Sequence, residues 1–369
     1  MEIEAYLRAM VRHDASDLYL SAGAPAGIKI EGETRRLGKE KLAASEVRQI
    51  AYSLLNDKQI SEFESEMELN LAIALDAVGR FRINLFRQRG SVAMVVRYIK
   101  SKIPSIESLH LPAILKDLIM EPRGLILVVG STGSGKSTTL ASMIDHRNEN
   151  KSGHILTIEE PIEFIHSHKK SIVDQRELGM DTLSYHNALK NAMREAPDVI
   201  LIGEIRDRET MKHAISYAET GHLCLSTLHA NNANQTLDRI VNFFPESAHH
   251  QLFIDLSEHL RAIVSQRLVP TVEGQRIPAV EIMIRTPYIA DLIEKNDIDS
   301  LKDAMKEGSP HGMQTFDQAL FRLFENGKIS EEQALEHADS RNDLGLAIRT
   351  SRKKSPDDAL GGLSLDQFE

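Results

Sequence analysis

Residues 124–137 constrain the fold more than any other stretch of the chain. Five consecutive apolar residues, Leu125 to Val129, run into Gly130-Ser131-Thr132-Gly133-Ser134-Gly135-Lys136-Ser137, a full match to G-x-x-x-x-G-K-[ST]. The match lies after a predicted strand and before a predicted helix, the context in which it has mechanical meaning. Glycines let the backbone curl so that successive N–H groups face phosphates, and a helix N-terminus adds a favourable dipole. Lys136 is placed to reach the β- and γ-phosphates, the Ser137 hydroxyl to ligate Mg²⁺, and Thr138 to continue the same first helical turn.

From Gly124 onward, short apolar runs alternate with helical patterns. His154 to Ile158 is the next predicted strand. A helix over about 183–194 follows, then the strand Val199 to Ile202. Next come a helix with Met211, Ala214, Ile215 and Ala218 on one face and the strand Leu223 to Thr227. Strands buried on both faces and alternating with helices predict a parallel α/β sheet. Residues 245–345 read as mostly helical, and the chain after about 345 as a tail without periodicity, within which Leu360 to Phe368 could dock on a partner.

Residues 1 to about 100 read differently, as mixed α+β. Ala5 to Val11 fits a short amphipathic helix. Asp17 to Ser21 and Gly27 to Glu31 fit short strands. Ser45 to Leu55 fits a helix with Ser45 as its cap. Arg80 to Phe86 and Ala93 to Ile99 alternate polar and apolar residues about Gln88-Arg89-Gly90, which predicts a hairpin. Pro104, Pro112 and Pro122 interrupt the following stretch, so a linker and hinge is expected at 101–112, between domains at 1–100 and 113–345.

Length and composition bound the function classes. At about 150 residues per domain, 369 residues make two to three domains. A hydrophobic share of 41% supplies a sizeable core. Lys+Arg 44 against Asp+Glu 54 gives a net charge of -10, which argues against non-specific nucleic-acid binding. Cys224 is the one cysteine, so neither an intrachain disulfide nor a cysteine-based zinc site can form. No apolar run approaches the roughly 20 residues of a membrane span, so membrane contact is expected only through partners.

Two acidic stretches complement the glycine-rich loop. Asp198-Val-Ile-Leu-Ile-Gly-Glu204 is an apolar strand ending in a carboxylate, the form that handles Mg²⁺ or water at the carboxyl edge of an α/β sheet. Glu159, Glu160 and Glu163 cluster after another short strand, where one could orient or deprotonate an attacking water. His222 and His229 flank the strand between them, too far apart for one metal pair; they could sense phosphate or contact a neighbour.

Together GSTGSGKS, TIEEPIEF, DVILIGEIRD and GHLCLSTLHANNA resemble, in order and spacing, the Walker A, Asp box, Walker B and His box of the secretion-superfamily ATPases. ASDLYLSAGAPAGIKIEGE and RFRINLF resemble the N-terminal domain of the type IV pilus retraction ATPases, the PilT/PilU group, as do Ser265 to Pro270 and Gly312 to Leu320 downstream. Thr315 to Leu323, Ala338 to Leu344 and the polar tail are more similar to the PilU branch. Glu160 stands where the Asp box usually has aspartate, and Tyr19 and Lys29 where His and Arg are frequent.

The resemblance implies a PAS-like N-terminal domain joined to a RecA-like ATPase domain, assembled as a homo-hexamer. ATP and Mg²⁺ would be held by residues 130–138 with Glu159, Glu160 and His222, and the metal by Ser137 and Glu204. Catalysis would fall to Lys136, His229 and a base, Glu204 or its rival Glu163, with Arg82 and Arg97 reaching over the nucleotide. It further implies pilus retraction through an inner-membrane platform protein at the cytoplasmic face, in the PilU case as an accessory to a PilT-type motor. Three alternatives remain open: a principal retraction motor of the PilT kind, an ATP-binding scaffold that recruits or stiffens PilT, and a nucleic-acid translocase on the same core.

Overall fold

Alternation of apolar and polar residues in one half of the chain, and unbroken apolar runs in the other, build two different sheets. A computed structural model describes residues 3–353 apart from 31, 76–77 and 100–101. The chain divides into one unit running to Lys102 together with Ile162–Ile165, and a second of Ile103–Pro161 and the residues from His166 onward.

The first unit comprises α1 (Ile3–Arg12), β1 (Asp17–Ser21), β2 (Ala26–Ile30), β3 (Glu33–Leu37), α2 (Ala44–Tyr52), α3 (Asp57–Glu66), β4 (Glu68–Leu75), β5 (Gly79–Gln88) and β6 (Ser91–Ile99). Its strands form one antiparallel sheet in the order β3-β2-β1-β6-β5-β4. Leu7 and Met10 of α1, Phe63 of α3 and Phe81, Ile83 and Leu85 of β5 share its core. The hairpin expected at Gln88 to Gly90 is present, with Gln88 opposite Ser91.

Ser45 does not cap α2. The cap is Ala43, whose N–H donates to the Glu46 carboxylate at 2.7 Å. A glutamate three residues into a helix can satisfy the cap's N–H from the far side, so no hydroxyl is needed there. β3, α3 and β4 are additional to the sequence reading. β3 is exposed along almost its whole length, as suits an edge strand, and so carries no alternation to detect.

The second unit begins with α4 (Ile114–Met120), β7 (Gly124–Val129), α5 (Lys136–Asn150), β8 (Gly153–Glu159), β9 (Ser171–Glu177) and α6 (Tyr185–Ala192). Next come β10 (Val199–Ile202), α7 (Arg208–Glu219), β11 (Leu223–Leu228), α8 (Ala233–Asn242), α9 (His249–His259), β12 (Leu260–Pro270) and β13 (Arg276–Ile284). Five helices close it: α10 (Pro287–Glu294), α11 (Leu301–Glu307), α12 (Phe316–Glu325), α13 (Glu331–Glu336) and α14 (Arg341–Lys353). The sheet order is β13-β12-β7-β11-β10-β8-β9, parallel except for the β12–β13 pair. Every residue of β7, β10 and β11 is buried, which is why these strands read as unbroken apolar runs.

Three expectations need correction. Residues 245–345 are not helical throughout, since β12 and β13 extend the sheet and make it mixed. α9 runs directly into β12 at Leu260, and an apolar run as short as Ala262 to Val264 cannot be told from buried helix by periodicity. Residues 103–112 are not a free linker. Ile106 and Leu111 are buried in the core with α4 and α5, and Ser142 donates its hydroxyl to the Pro104 carbonyl at 2.7 Å. The tail does not start at 346, because α14 continues to Lys353 and buries Leu344 and Ile348. Leu360 to Phe368 lie outside the described residues. Among the described residues no helix is long and apolar enough to cross a membrane.

Glu281 on β13 is 1% exposed. It accepts from the Ala233 N–H at the start of α8 at 2.8 Å and from the Ser265 hydroxyl at 3.1 Å. Burial, the largest effect, raises its carboxyl from an ordinary 4.5 to about 7 despite those donors. A carboxyl raised in the native state stays protonated while the unfolded chain ionises, so its stabilising contribution is full below 4.5 and is lost as pH climbs through about 7. Glu281→Gln cannot ionise. Its melting temperature relative to the unsubstituted chain should rise between about pH 5 and about pH 8, as read by calorimetry. Leu127→Ala, in the middle of fully buried β7, should destabilise the second unit by about 2–5 kcal/mol in denaturant titrations.

Candidate functional site: a phosphate loop at the carboxyl edge of the sheet

β7 delivers the chain to the carboxyl edge of the parallel strands, and residues 130–135 turn it into α5. Unlike α6, α7 and α8, which take side-chain caps from Ser184, Asp207 and Asn232, α5 has no side-chain cap. Its cap is Gly135 in the left-handed conformation. The end of α5 is therefore left for an anion, the condition under which helix dipole and N–H groups act together. Lys136 Nζ donates to the carbonyls of Gly130 and Ser131, each at 2.9 Å. Ser134 Oγ is buried and has no hydrogen-bond partner among the described residues. Ser137 and Thr138 occupy the first turn of α5.

Two glycines of the loop are required by space as well as by dihedral angle. Gly130 has φ +153° and Gly135 φ +94°. A Cβ on Gly130 would lie 2.5 Å from the Gln266 carbonyl oxygen, and one on Gly135 would lie 2.7 Å from Gln266 Nε2. Gln266 is buried on β12 and accepts from the Thr139 hydroxyl at 2.7 Å, so it braces loop and helix together.

Glu204 leaves the end of β10 and is positioned by the neighbouring strand: the Ile205 N–H donates to Thr227 O at 2.9 Å and the Thr227 hydroxyl to Gly203 O at 2.7 Å. The capping role falls to Asp207, which accepts from the Thr210 N–H at 2.8 Å, leaving Glu204 available to the site. Glu204 Oε1 lies 3.0 Å from His229 Nε2, and Oε2 accepts from Arg206 Nε at 2.8 Å. Arg206 also reaches Glu160 at 3.1 Å. Glu159 accepts from the Thr157 hydroxyl at 2.7 Å. Tyr185 is held above its ordinary range, first by burial and then by Glu160. A hydroxyl at Ser137 and a carboxylate at Glu204 are hard oxygen donors in an acidic setting, and they fit a magnesium ion.

The loop and His229 together border a cavity of about 370 Å³, closed on its other side by Asn231, Gln235 and Asp238. Glu281 fixes this wall, because it holds the first residue of α8. Neither Gln266 nor Glu281 was identified as a site residue from sequence. Both sit on β12 and β13, and the available signal was Glu281 alone, a carboxylate interrupting the apolar run Ala279 to Ile284.

Other expected site residues lie elsewhere. β11 runs from Leu223 beside Gly124 to Leu228 beside Val129. His222 is therefore at the amino edge of the sheet, about 22–24 Å of extended chain away from His229. Its Nδ1 lies 3.2 Å from Tyr217 O, and its carbonyl accepts from the Gly124 N–H at 3.0 Å. The acidic cluster divides: Glu159 and Glu160 stay in the second unit, whereas Glu163 lies in the segment assigned to the first. Arg82 and Arg97 face each other across β5 and β6, and Arg97 Nε pairs with the buried Asp17 carboxylate at 2.8 Å.

The family model described as Type II/IV secretion system protein matches residues 3–343. The Type IV pilus ATPase PilU of Pseudomonas aeruginosa is 50% identical over 99% of this chain and 97% of its own length. The Type IV pilus retraction ATPase PilT of the same species is 44% identical over 92% of this chain and 98% of its own. The crystal structure of the pilus retraction motor PilT with bound ADP superposes with a TM-score of 0.87 at 42% identity, covering 94% of this chain and 99% of that one. With a phosphate loop, a carboxylate-ended strand and these likenesses over nearly its full length, the chain belongs to the type II/IV secretion ATPase family, within its PilT/PilU group.

Proposed function

We propose that this chain is a Mg²⁺-dependent ATPase that works as a homo-hexamer to power type IV pilus retraction. The observation that carries the reading is the uncapped, glycine-closed N-terminus of α5 beside a Glu204 held by both His229 and Arg206. The likeness to a PilT structure with bound ADP supports the nucleotide class.

Bound Mg²⁺ would neutralise charge on the triphosphate. Lys136 would exchange the Gly130 and Ser131 carbonyls for the β- and γ-phosphates, while Ser137 and Glu204 would hold the metal. Glu204 is the favoured base for the attacking water, with Glu163 its rival. His229 orients Glu204 and couples it to the wall of the cavity. Arg82 and Arg97 are assigned to neutralising charge on the triphosphate, and the Arg97 bond to Asp17 engages only its Nε. Glu159 and Glu160 complete the acidic rim, and Arg206 balances it. His222, at the opposite edge of its own sheet, is left out of the nucleotide pocket and assigned to contact with a neighbouring subunit.

Greater identity with PilU than with PilT favours an accessory motor that works with a PilT-type partner and the inner-membrane platform protein at the cytoplasmic face. A strain lacking the gene should then retract pili but stall under load; complete loss of retraction would indicate the principal motor instead. In steady-state assays Lys136→Ala should lose about 10²–10³-fold in kcat, the scale expected for removing one preorganised charge donor. Equal activity of the two proteins would leave only the scaffold reading. Gln266→Ala should weaken ADP binding by roughly tenfold in calorimetric titration, because Thr139 and the loop lose their brace.

A further inference from the structure

The segment carrying Glu204 joins β10 to α7, and α7 shares with α6 a cluster of ligating side chains that the reading above does not use. Glu209, His213 and Tyr217 recur at every fourth residue of α7 and so lie along one face. α6 packs on α7 and brings His186 to the same place. The Tyr217 hydroxyl, itself buried, donates to the Leu189 carbonyl at 2.6 Å and fixes α6 against α7 beside the cluster. His186 Nδ1 contacts the Glu209 carboxylate. The His186 and His213 rings stand edge to face with centroids 6.4 Å apart, and His213 rests against Tyr217 at 6.0 Å. One ligand atom from each of His186, Glu209 and His213 lies within 4.8 Å of the others.

We propose that His186, Glu209 and His213 bind a divalent transition metal of the zinc type, with a fourth position open to solvent. Two imidazoles and one carboxylate are the donor set of zinc, not of magnesium or calcium, which take oxygen ligands. Bonds of about 2.0–2.2 Å place tetrahedral ligand atoms roughly 3.3 Å apart. His186 and Glu209 are exposed and His213 is half-buried, so the remaining contraction falls on side-chain ends that are free to turn. An exposed histidine–glutamate pair alone contributes little to stability and leaves the third ligand unexplained. A metal joining all three clamps α6 to α7 on either side of the Glu204 segment.

Metal-stripped full-length protein, kept in magnesium buffer, is titrated with zinc chloride against a chromophoric chelator and separately with cobalt(II). One equivalent should bind, with the visible absorption of tetrahedral cobalt and a raised melting temperature. Outer-shell losses cost about 10–100-fold in metal affinity. Each of His186→Ala, His213→Ala and Glu209→Gln should cost at least the lower figure, whereas His250→Ala should cost nothing. Circular dichroism of the metal-free variants checks folding, and any two folded variants decide the matter. Binding that survives the substitutions undiminished, or a parent protein that takes up no equivalent at micromolar zinc, overturns the site.

Discussion

The close approach of β12 to the phosphate loop is the constraint on which the nucleotide site depends. The Gln266 carbonyl and amide fill the positions that side chains on residues 130 and 135 would need, and the Thr139 hydroxyl ties the first turns of α5 to the same residue. The loop is thus held from outside by a strand far away in sequence. An anion meeting it would find donors already arranged, with little reorganisation left to oppose binding. The glycines are needed both for their backbone angles and for the room they leave to Gln266.

Charge completes what this packing begins. At the same edge of the sheet three carboxylates, Glu159, Glu160 and Glu204, gather with Arg206 around Tyr185. Arg206 bridges two of the carboxylates, and His229 takes the remaining oxygen of Glu204. A cation arriving with a polyanion would relieve that acidity, and the same cation would compete with Arg206 and His229 for Glu204. The resting hydrogen bonds therefore hold Glu204 in place while leaving it exchangeable.

Much of this was readable before any coordinates. β7, β10 and β11 announced themselves because burial on both faces admits only apolar residues, and the loop residues because phosphate binding tolerates few alternatives. β12 and β13 stayed hidden because Leu260 follows α9 without a break and its apolar run has no period. β3 stayed hidden because an exposed edge strand has no buried face. The cap of α2 was misplaced by one rule overtaking another, Glu46 serving in place of a hydroxyl. The two ends of β11 were already legible as separate places for His222 and His229, but an apolar run does not show which of its ends lies at the edge that carries the phosphate loop. Glu209 and His213 carried the four-residue spacing of helical ligands, but their third member, His186, comes from another helix, and no linear spacing reveals that.

β12 has one more consequence. Neighbouring residues on a strand point to opposite faces. Gln266 faces the loop, while Arg267 lies over the Phe316 ring at 3.8 Å and pairs with Asp339 at 2.7 Å. A little further on, Val269 enters the apolar cluster formed by α12, α13 and α14. The brace of the phosphate loop and the anchor of the carboxy-terminal helices are thus four residues of a single strand, so the two regions share one covalent support.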